Sequence, residues 1–332
     1  MVQLRARAKT PPSARPAVAG TGLTAVDRIY ADAHTAPTEA LGGSCGNVLL
    51  SLAMLGHPVF PVVNLGDDDL GRFLFDEFEK AGCETRYVSR AGTGTSPVIV
   101  EIVDTVNATH RFTSTCPQTS VRFPKWRSID HDHVWRAAET LKSVSVFYTD
   151  RVSETIMLAM EEAKRAGALV FFEPASVDDD LFARAVRCAT VIKLSDETAG
   201  KQIADDDLDP ETIVIRTHGA HGLTVSNGKV RRHFPSSFAP RVIDTCGSGD
   251  MVTTGLLDLV LKRWYREGSW KVEDIFDGIK VGQRLAALNC GFTGARGLFL
   301  AAGASHVREM LDQGIDETST SYVTTLGSCS RG

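Results

Sequence analysis

The 332-residue sequence predicts an α/β fold, a mostly parallel sheet with helices on both faces. Three observations carry that prediction. From about Ser143 onward, short apolar runs of strand length alternate with segments of helical period. Glycine-rich turns of small residues separate several of them. The composition, 43% hydrophobic and 23% charged, is that of a globular chain able to bury a core without disulfides or metals.

Residues 1–16 are basic and proline-broken with no apolar stretch behind them, and are expected to be a disordered tail rather than a secretory signal. Ala17 to Ala25 alternates small and apolar residues and reads as a first strand. Val48, Leu49, Leu52, Ala53 and Leu55 recur at helical spacing, so Gly46–Leu55 is a helix. Pro58–Asn64 is an apolar strand and Leu70–Lys80 a helix. Gly92–Ser114 departs from the pattern. Val98, Val100 and Ile102, then His110–Thr113, make two β-runs joined by a polar turn at Asp104–Asn107, a small sheet projecting from the main body.

Strands then follow at Val144–Tyr148, Ala168–Phe172 and Thr190–Leu194, with helices at Ser153–Ala166 and Leu181–Cys188 between them. Thr212–Arg216 and Gly222–Val225 are strands around a glycine-rich turn. Gly249–Tyr265 and Ile275–Asn289 are helices, and residues 309–332 are expected to be mobile. A net charge of −5 gives no basic footprint for nucleic acid and no polybasic membrane patch. No apolar run approaches the roughly 18 residues of a membrane span. Seven cysteines (Cys45, Cys83, Cys116, Cys188, Cys246, Cys290, Cys329) form no CxxC pair, which fits reduced thiols and a cytoplasmic location.

The most informative segment is Val242-Ile243-Asp244-Thr245-Cys246-Gly247-Ser248-Gly249-Asp250, a strand-like run and small-residue turn opening a helix. The unpaired amides and dipole of a helix N-terminus attract anions, and glycines allow close approach. Asp250 beside such a cradle is placed to take a proton from an attacking hydroxyl, the arrangement phosphoryl transfer needs. The segment alone fits a plain capped helix equally well. Thr217-His218-Gly219-Ala220-His221-Gly222 favours a hairpin turn, and its HxxH spacing is not that of a metal site on one helix face. Gly42-Gly43-Ser44-Cys45-Gly46-Asn47 precedes a helix and reads alone as its cap, with Asn47 offering a donor and an acceptor.

In this order these pieces resemble the ribokinase-like (PfkB) family of sugar and nucleoside kinases, from about residue 17 to 308. DTCGSGD at Asp244–Asp250 is similar to the family's signature D-T-x-G-[AS]-G-D, and Gly22–Asp27, Gly42-Gly43 with Asn47, Gly66–Gly71, Thr217–Gly222 and Gly294-Ala295 follow in family order. The resemblance implies a three-layer αβα sandwich with a small β lid, formed from about 28–40 and 95–115. It implies Asp250 as base toward the γ-phosphate of ATP, with the amides of Gly247, Ser248 and Gly249 as anion hole. Asp27, Gly42, Gly43, Asn47 and Arg111 would bind the acceptor, a small-molecule sugar. Lys193, Thr217, Gly219 and Gly222 would line the nucleotide, with Asn289 near the adenine. Backbone oxygens at Asp244 and Cys246 would hold a monovalent cation such as K⁺, and Glu197 would act on Mg²⁺ indirectly. The lid implies a homodimer.

Lys193-Leu194-Ser195-Asp196-Glu197 looks like the fructokinase-like branch. Two departures stand out. Thr198 occupies the place of the family's glutamate, and Glu173-Pro174-Ala175-Ser176 replaces a segment carrying Asp and Arg. They leave open a nucleoside or 2-keto-3-deoxygluconate acceptor, and a kinase-fold protein that binds without turnover. A dinucleotide oxidoreductase is disfavoured, because no GxGxxG opens a helix after the first strand.

Overall fold

The computed structural model describes residues 15–30, 36–90, 94–104, 109–175, 181–196, 208–228 and 230–313. The main sheet has eight strands: β1 (Val18–Thr21), β4 (Val59–Pro61), β9 (Val146–Thr149), β10 (Leu169–Phe172), β11 (Val191–Ser195), β12 (Ile213–Thr217), β13 (Leu223–Asn227) and β14 (Val230–Phe234). Their order is β14-β13-β12-β11-β10-β9-β1-β4. The run from β4 to β12 is parallel, and β13 and β14 add an antiparallel edge.

Strand alternation explains the two layers. On β9 and β10, Val146, Tyr148, Leu169 and Phe171 enter one core, while Phe147, Val170 and Phe172 enter the other. The first core is closed by α1 (Ser44–Met54), α6 (Ser248–Glu267), α7 (Val272–Asn289) and α8 (Gly297–Ala302). The second is closed by α3 (His131–Leu141), α4 (Glu154–Ala166) and α5 (Phe182–Cys188). Burial of apolar side chains on both faces is what makes this a three-layer sandwich.

A second sheet, order β3-β2-β7-β8, joins β2 (Ala25–Tyr30), β3 (Thr38–Gly42), β7 (Val98–Asp104) and β8 (Thr109–Thr113). This is where the irregular β-runs go, and it is the small antiparallel-edged sheet expected beside the main one. β5 (Val63–Asn64) and β6 (Val88–Ser89) form a two-stranded ladder, with α2 (Asp69–Lys80) between them in the chain.

Two expected strands are each divided. Ala17–Ala25 breaks after Thr21, and the chain passes into β2 of the other sheet. The break is fixed from outside: Leu23 N donates to Asp150 Oδ1 at 2.8 Å, and Trp126 Nε1 donates to the Gly22 carbonyl at 2.8 Å. Pro58–Asn64 likewise divides into β4 and β5. β3 falls partly within the expected lid segment 28–40, whereas strand β14 and helices α3, α8 and α9 (Ala304–Asp312) were not expected; β14 is an edge strand with mostly exposed side chains and little apolar alternation.

α6, whose N-terminus carries the signature, is tied to its neighbours by one buried carboxylate. Asp258 receives Arg308 Nη2 at 2.7 Å from α9 and Lys262 Nζ at 3.1 Å, and its Oδ1 lies 2.7 Å from His57 Nε2. Burial would raise the Asp258 pKa, but the hydrogen bonds of His57 and Arg308 outweigh it and hold the carboxyl well below its ordinary 3.8. A depressed carboxylate stabilises the fold above its unfolded pKa and loses that contribution as pH falls through the folded one. Asp258→Ala is therefore expected to cost about 3 kcal/mol in urea unfolding at neutral pH, with the difference from the parent shrinking below the ordinary 3.8.

Candidate active site

The site lies where the N-termini of α1 and α6 meet at the carboxyl ends of the parallel strands. Gly247 takes a left-handed φ of 69° as the N-cap of α6, and a Cβ there would stand 2.4 Å from Ala295 Cβ. Glycine is thus required on both conformational and steric grounds. The Ser248 amide is drawn into this turn, donating to the Thr245 carbonyl at 3.2 Å. That bond distinguishes the Ser248 amide from those of Gly247 and Gly249 in the expected three-amide anion hole. Ser248 Oγ donates to the same carbonyl at 2.7 Å, so the side chain braces the turn.

Asp250 is 7% exposed, and its Oδ2 accepts from Asn47 Nδ2 at 2.8 Å. Asn47 Oδ1 accepts from Arg296 Nε at 3.3 Å, and Arg296 Nη2 also donates to the Leu41 carbonyl. Burial pushes the Asp250 carboxyl up to about 7, the Glu173 charge adds to this, and Lys193 and the Asn47 hydrogen bond oppose it. Asp27, on β2, is also raised to about 7 by burial, against the pull of Arg296. Its Oδ1 is buried with no hydrogen-bond partner. A Cβ on Gly42 would lie 1.9 Å from the Asp27 carboxyl, so the first of the paired glycines makes room for that group.

Asp150, Glu173 and Arg296 complete the site, and the sequence reading had not singled them out as site residues. Asp150 follows β9, is 1% exposed, and is raised to about 6 by burial despite Arg151 Nη1 at 3.0 Å. Glu173 follows β10 on the α6 side. It pairs with Lys193, and its Oε2 accepts from Thr253 Oγ1 at 2.9 Å and Tyr148 Oη at 3.3 Å. Lys193 Nζ would stand 3.3 Å from a Cβ on Gly249, which puts its charge against the α6 N-terminus. The replaced segment after β10 thus supplies a carboxylate of its own.

Other expected residues are placed differently. Arg111 is exposed on β8. The registers Asp27↔Ile99, Ile29↔Glu101, Glu101↔Phe112 and Val103↔His110 put Asp27, Glu101 and His110 on one face of the lid, and alternation puts Arg111 on the other. Arg111 thus faces away from the side of the lid that carries Asp27. Asn289 is fully buried: Nδ2 donates to the Gly294 and Ala295 carbonyls at 3.3 and 3.1 Å, and Oδ1 accepts from Leu298 N at 3.0 Å. It shapes the loop that covers Gly247.

Thr217, Gly219 and Gly222 lie in a hairpin between β12 and β13, closed by His218 N donating to the Gly222 carbonyl at 2.8 Å. His218 contacts Asp196 and Thr224 through its two ring nitrogens. Asp244 and Cys246 are buried, with Asp244 Oδ1 accepting from Cys246 N at 2.9 Å and Oδ2 from Gly294 N at 2.7 Å. Burial, with Glu101 and Asp27 nearby, pushes the Cys246 thiol well above its ordinary range. Glu197 and Thr198 lie outside the described residues.

The family model described as pfkB family carbohydrate kinase matches residues 21–300. The chain belongs to this carbohydrate kinase family. A 5-dehydro-2-deoxygluconokinase of Clostridium perfringens is 25% identical over 314 residues, 80% of this chain and 85% of that one. A fructokinase of Klebsiella pneumoniae is 27% identical over 238 residues, 65% of this chain and 75% of its own. The fold is shared with a fructokinase with bound ATP from Xylella fastidiosa, with a TM-score of 0.68, 19% identity, and coverage of 90% of this chain and 99% of that one.

The charges around Asp250 give a test in two directions. Glu173→Gln removes a neighbour that raises the Asp250 pKa, so the acid limb of kcat/KM is expected to move below about 7. Asn47→Leu removes a hydrogen bond that lowers it, so the limb is expected to move above about 7. Profiles of both variants against the parent check the pair of shifts.

Proposed function

We propose that the protein is an ATP-dependent kinase of a neutral sugar, with Asp250 as general base. The observation that carries this reading is the buried Asp250 carboxylate, held by Asn47 beside the open turn at the start of α6. An acceptor hydroxyl gives its proton to Asp250 as its oxygen forms a bond to the γ-phosphorus, and the bond to the ADP oxygen breaks. The Gly247 and Gly249 amides, the α6 dipole and Lys193 supply fixed positive charge where the transferring phosphoryl needs it.

Asp27, Gly42, Gly43 and Asn47 are assigned to the acceptor, and Asp150 is added to them. Thr217, Gly219 and Gly222 are assigned to the nucleotide, on the loops at the carboxyl ends of the sheet where ligands of open α/β folds bind. Mg²⁺ supplies charge neutralisation of the phosphates when bound. Glu173 is an oxygen donor that fits such a hard cation, which is usually held by one or two carboxylates and the phosphates themselves. For K⁺, the backbone oxygens at Asp244 and Cys246 are the assigned donors; the Asp244 carboxylate braces that turn through both of its oxygens.

Three buried carboxylates, Asp27, Asp150 and Asp250, crowd the acceptor side, and its buried guanidinium, Arg296, is already committed to Asn47 and Leu41. This favours a neutral polyol over a sugar acid or sugar phosphate, because a like charge placed there is repelled. A cytoplasmic location and a homodimer through the lid belong to the same reading. No helix among the described residues is long and apolar enough to cross a membrane, and β3 and β8 leave two lid edges open.

ADP release with Mg-ATP across neutral ketoses, aldoses, nucleosides and sugar acids tests the assignment. A neutral sugar is expected to exceed the matching sugar acid by at least about tenfold in kcat/KM, or about 1.4 kcal/mol. Asp250→Asn is expected to lower kcat by about 10²–10⁴ while ATP still binds. ATP and sugar binding without turnover in the parent would instead favour a non-catalytic member.

A further inference from the structure

Glu101, on β7, is fully buried, and among the described residues neither carboxylate oxygen meets a nitrogen or oxygen donor at hydrogen-bond distance, its hydrogen-bonding neighbour being the weak Cys246 thiol. An ionised carboxylate so placed is costly unless a cation compensates it. The Cys246 thiol and the His110 ring lie against it, and Asp244 and Asp27 add further negative charge. Arg296 is spent elsewhere. The catalytic assignment gives Glu101 no part.

His110 sits on the neighbouring strand β8, one diagonal step away on the same face of the lid. Its Nδ1 is 3.3 Å from Asp244 Oδ1. One ligand atom each from Glu101, His110 and Asp244 can be chosen so that all three lie within 4.8 Å of one another. We propose that these three side chains form a binding site for a transition-type divalent cation such as Zn²⁺, which joins the lid to the turn that begins the anion cradle. One imidazole nitrogen and two carboxylate oxygens are a donor set for such ions.

The geometry supports occupancy in two ways. Bonds of about 2.0–2.2 Å span ligand atoms up to about 4 Å apart, so side-chain rotations of under about an ångström close the set. The two backbone N–H groups that Asp244 accepts take one lone pair on each oxygen and leave the others for a metal, while fixing the carboxylate's direction. Glu101 and His110 come from the lid and Asp244 from the turn before α6, so the cation would bridge these two parts.

The test reads binding, not turnover, and so stands apart from the kinase assignment. Metal-stripped full-length protein is titrated with Co²⁺, without nucleotide or sugar, and followed by visible absorption and thermal melting. The expected result is about one Co²⁺ per chain, displaced by Zn²⁺, with a rise in Tm. Glu101→Gln and His110→Gln should each weaken Co²⁺ binding more than about 100-fold and remove the rise. Asp196→Asn, which alters the separate His218 pair, should leave both readouts unchanged. Far-UV circular dichroism and the apo Tm establish that each variant is folded. No Co²⁺ band in the folded parent, or an undiminished band in folded Glu101→Gln and His110→Gln, overturns the site.

Discussion

The hydrogen bond from Asn47 to Asp250 spans 203 positions of sequence and holds two helix N-termini together. α1 begins just after the paired glycines and α6 just after Gly247. Both positive helix ends converge on one carboxylate, which offsets part of the cost of burying it. Burial and the Glu173 charge act the other way. The balance leaves Asp250 near neutrality, where a carboxylate can both accept a proton and release it. The glycines at 42 and 247, the Arg296 bridge and the Asn289-braced loop all serve this convergence.

Much of the Asp244–Asp250 segment was legible because its constraint is local. A left-handed turn against a neighbouring alanine needs glycine, and an acid one turn into the following helix is visible as a spacing. Asp150 and Glu173 were not legible as site residues, because each follows a buried strand and looks like a loop residue until parallel pairing brings the strand ends together. Lys193 was singled out in the sequence as a strand lysine, but its partner Glu173 lies on another strand and was not. In the lid, the difference between Arg111 and His110 is a single step of pleat alternation, and only the β7–β8 register decides it.

The divided first strand has the same origin. Gly22, Leu23 and Thr24 are small or apolar and look continuous with a strand; the bend comes from Asp150, distant in sequence. Asn289 was found at a structurally exacting position, and the structure adds that its amide is bonded to the Gly294–Leu298 backbone. Fold class survives such errors because it rests on alternation over many residues, whereas a side chain's role rests on one partner.

Two kinds of buried carboxylate coexist. Asp258 is paired with Arg308 and Lys262, hydrogen-bonded to His57, and stabilises the helix that carries the site. Asp27, Asp150 and Asp250 are raised toward neutrality by burial, which outweighs their partners, and lie at the carboxyl ends of the parallel strands. Buried carboxylates shifted this way cost stability and cluster at functional sites. The most direct test is isotope-edited NMR of the aspartate carboxyl carbons, with the Asp250 signal assigned by its loss in Asp250→Asn. The account predicts titration near pH 7 in the free enzyme. Titration near the ordinary 3.8 would contradict it, because burial would then not be tuning this group as a base.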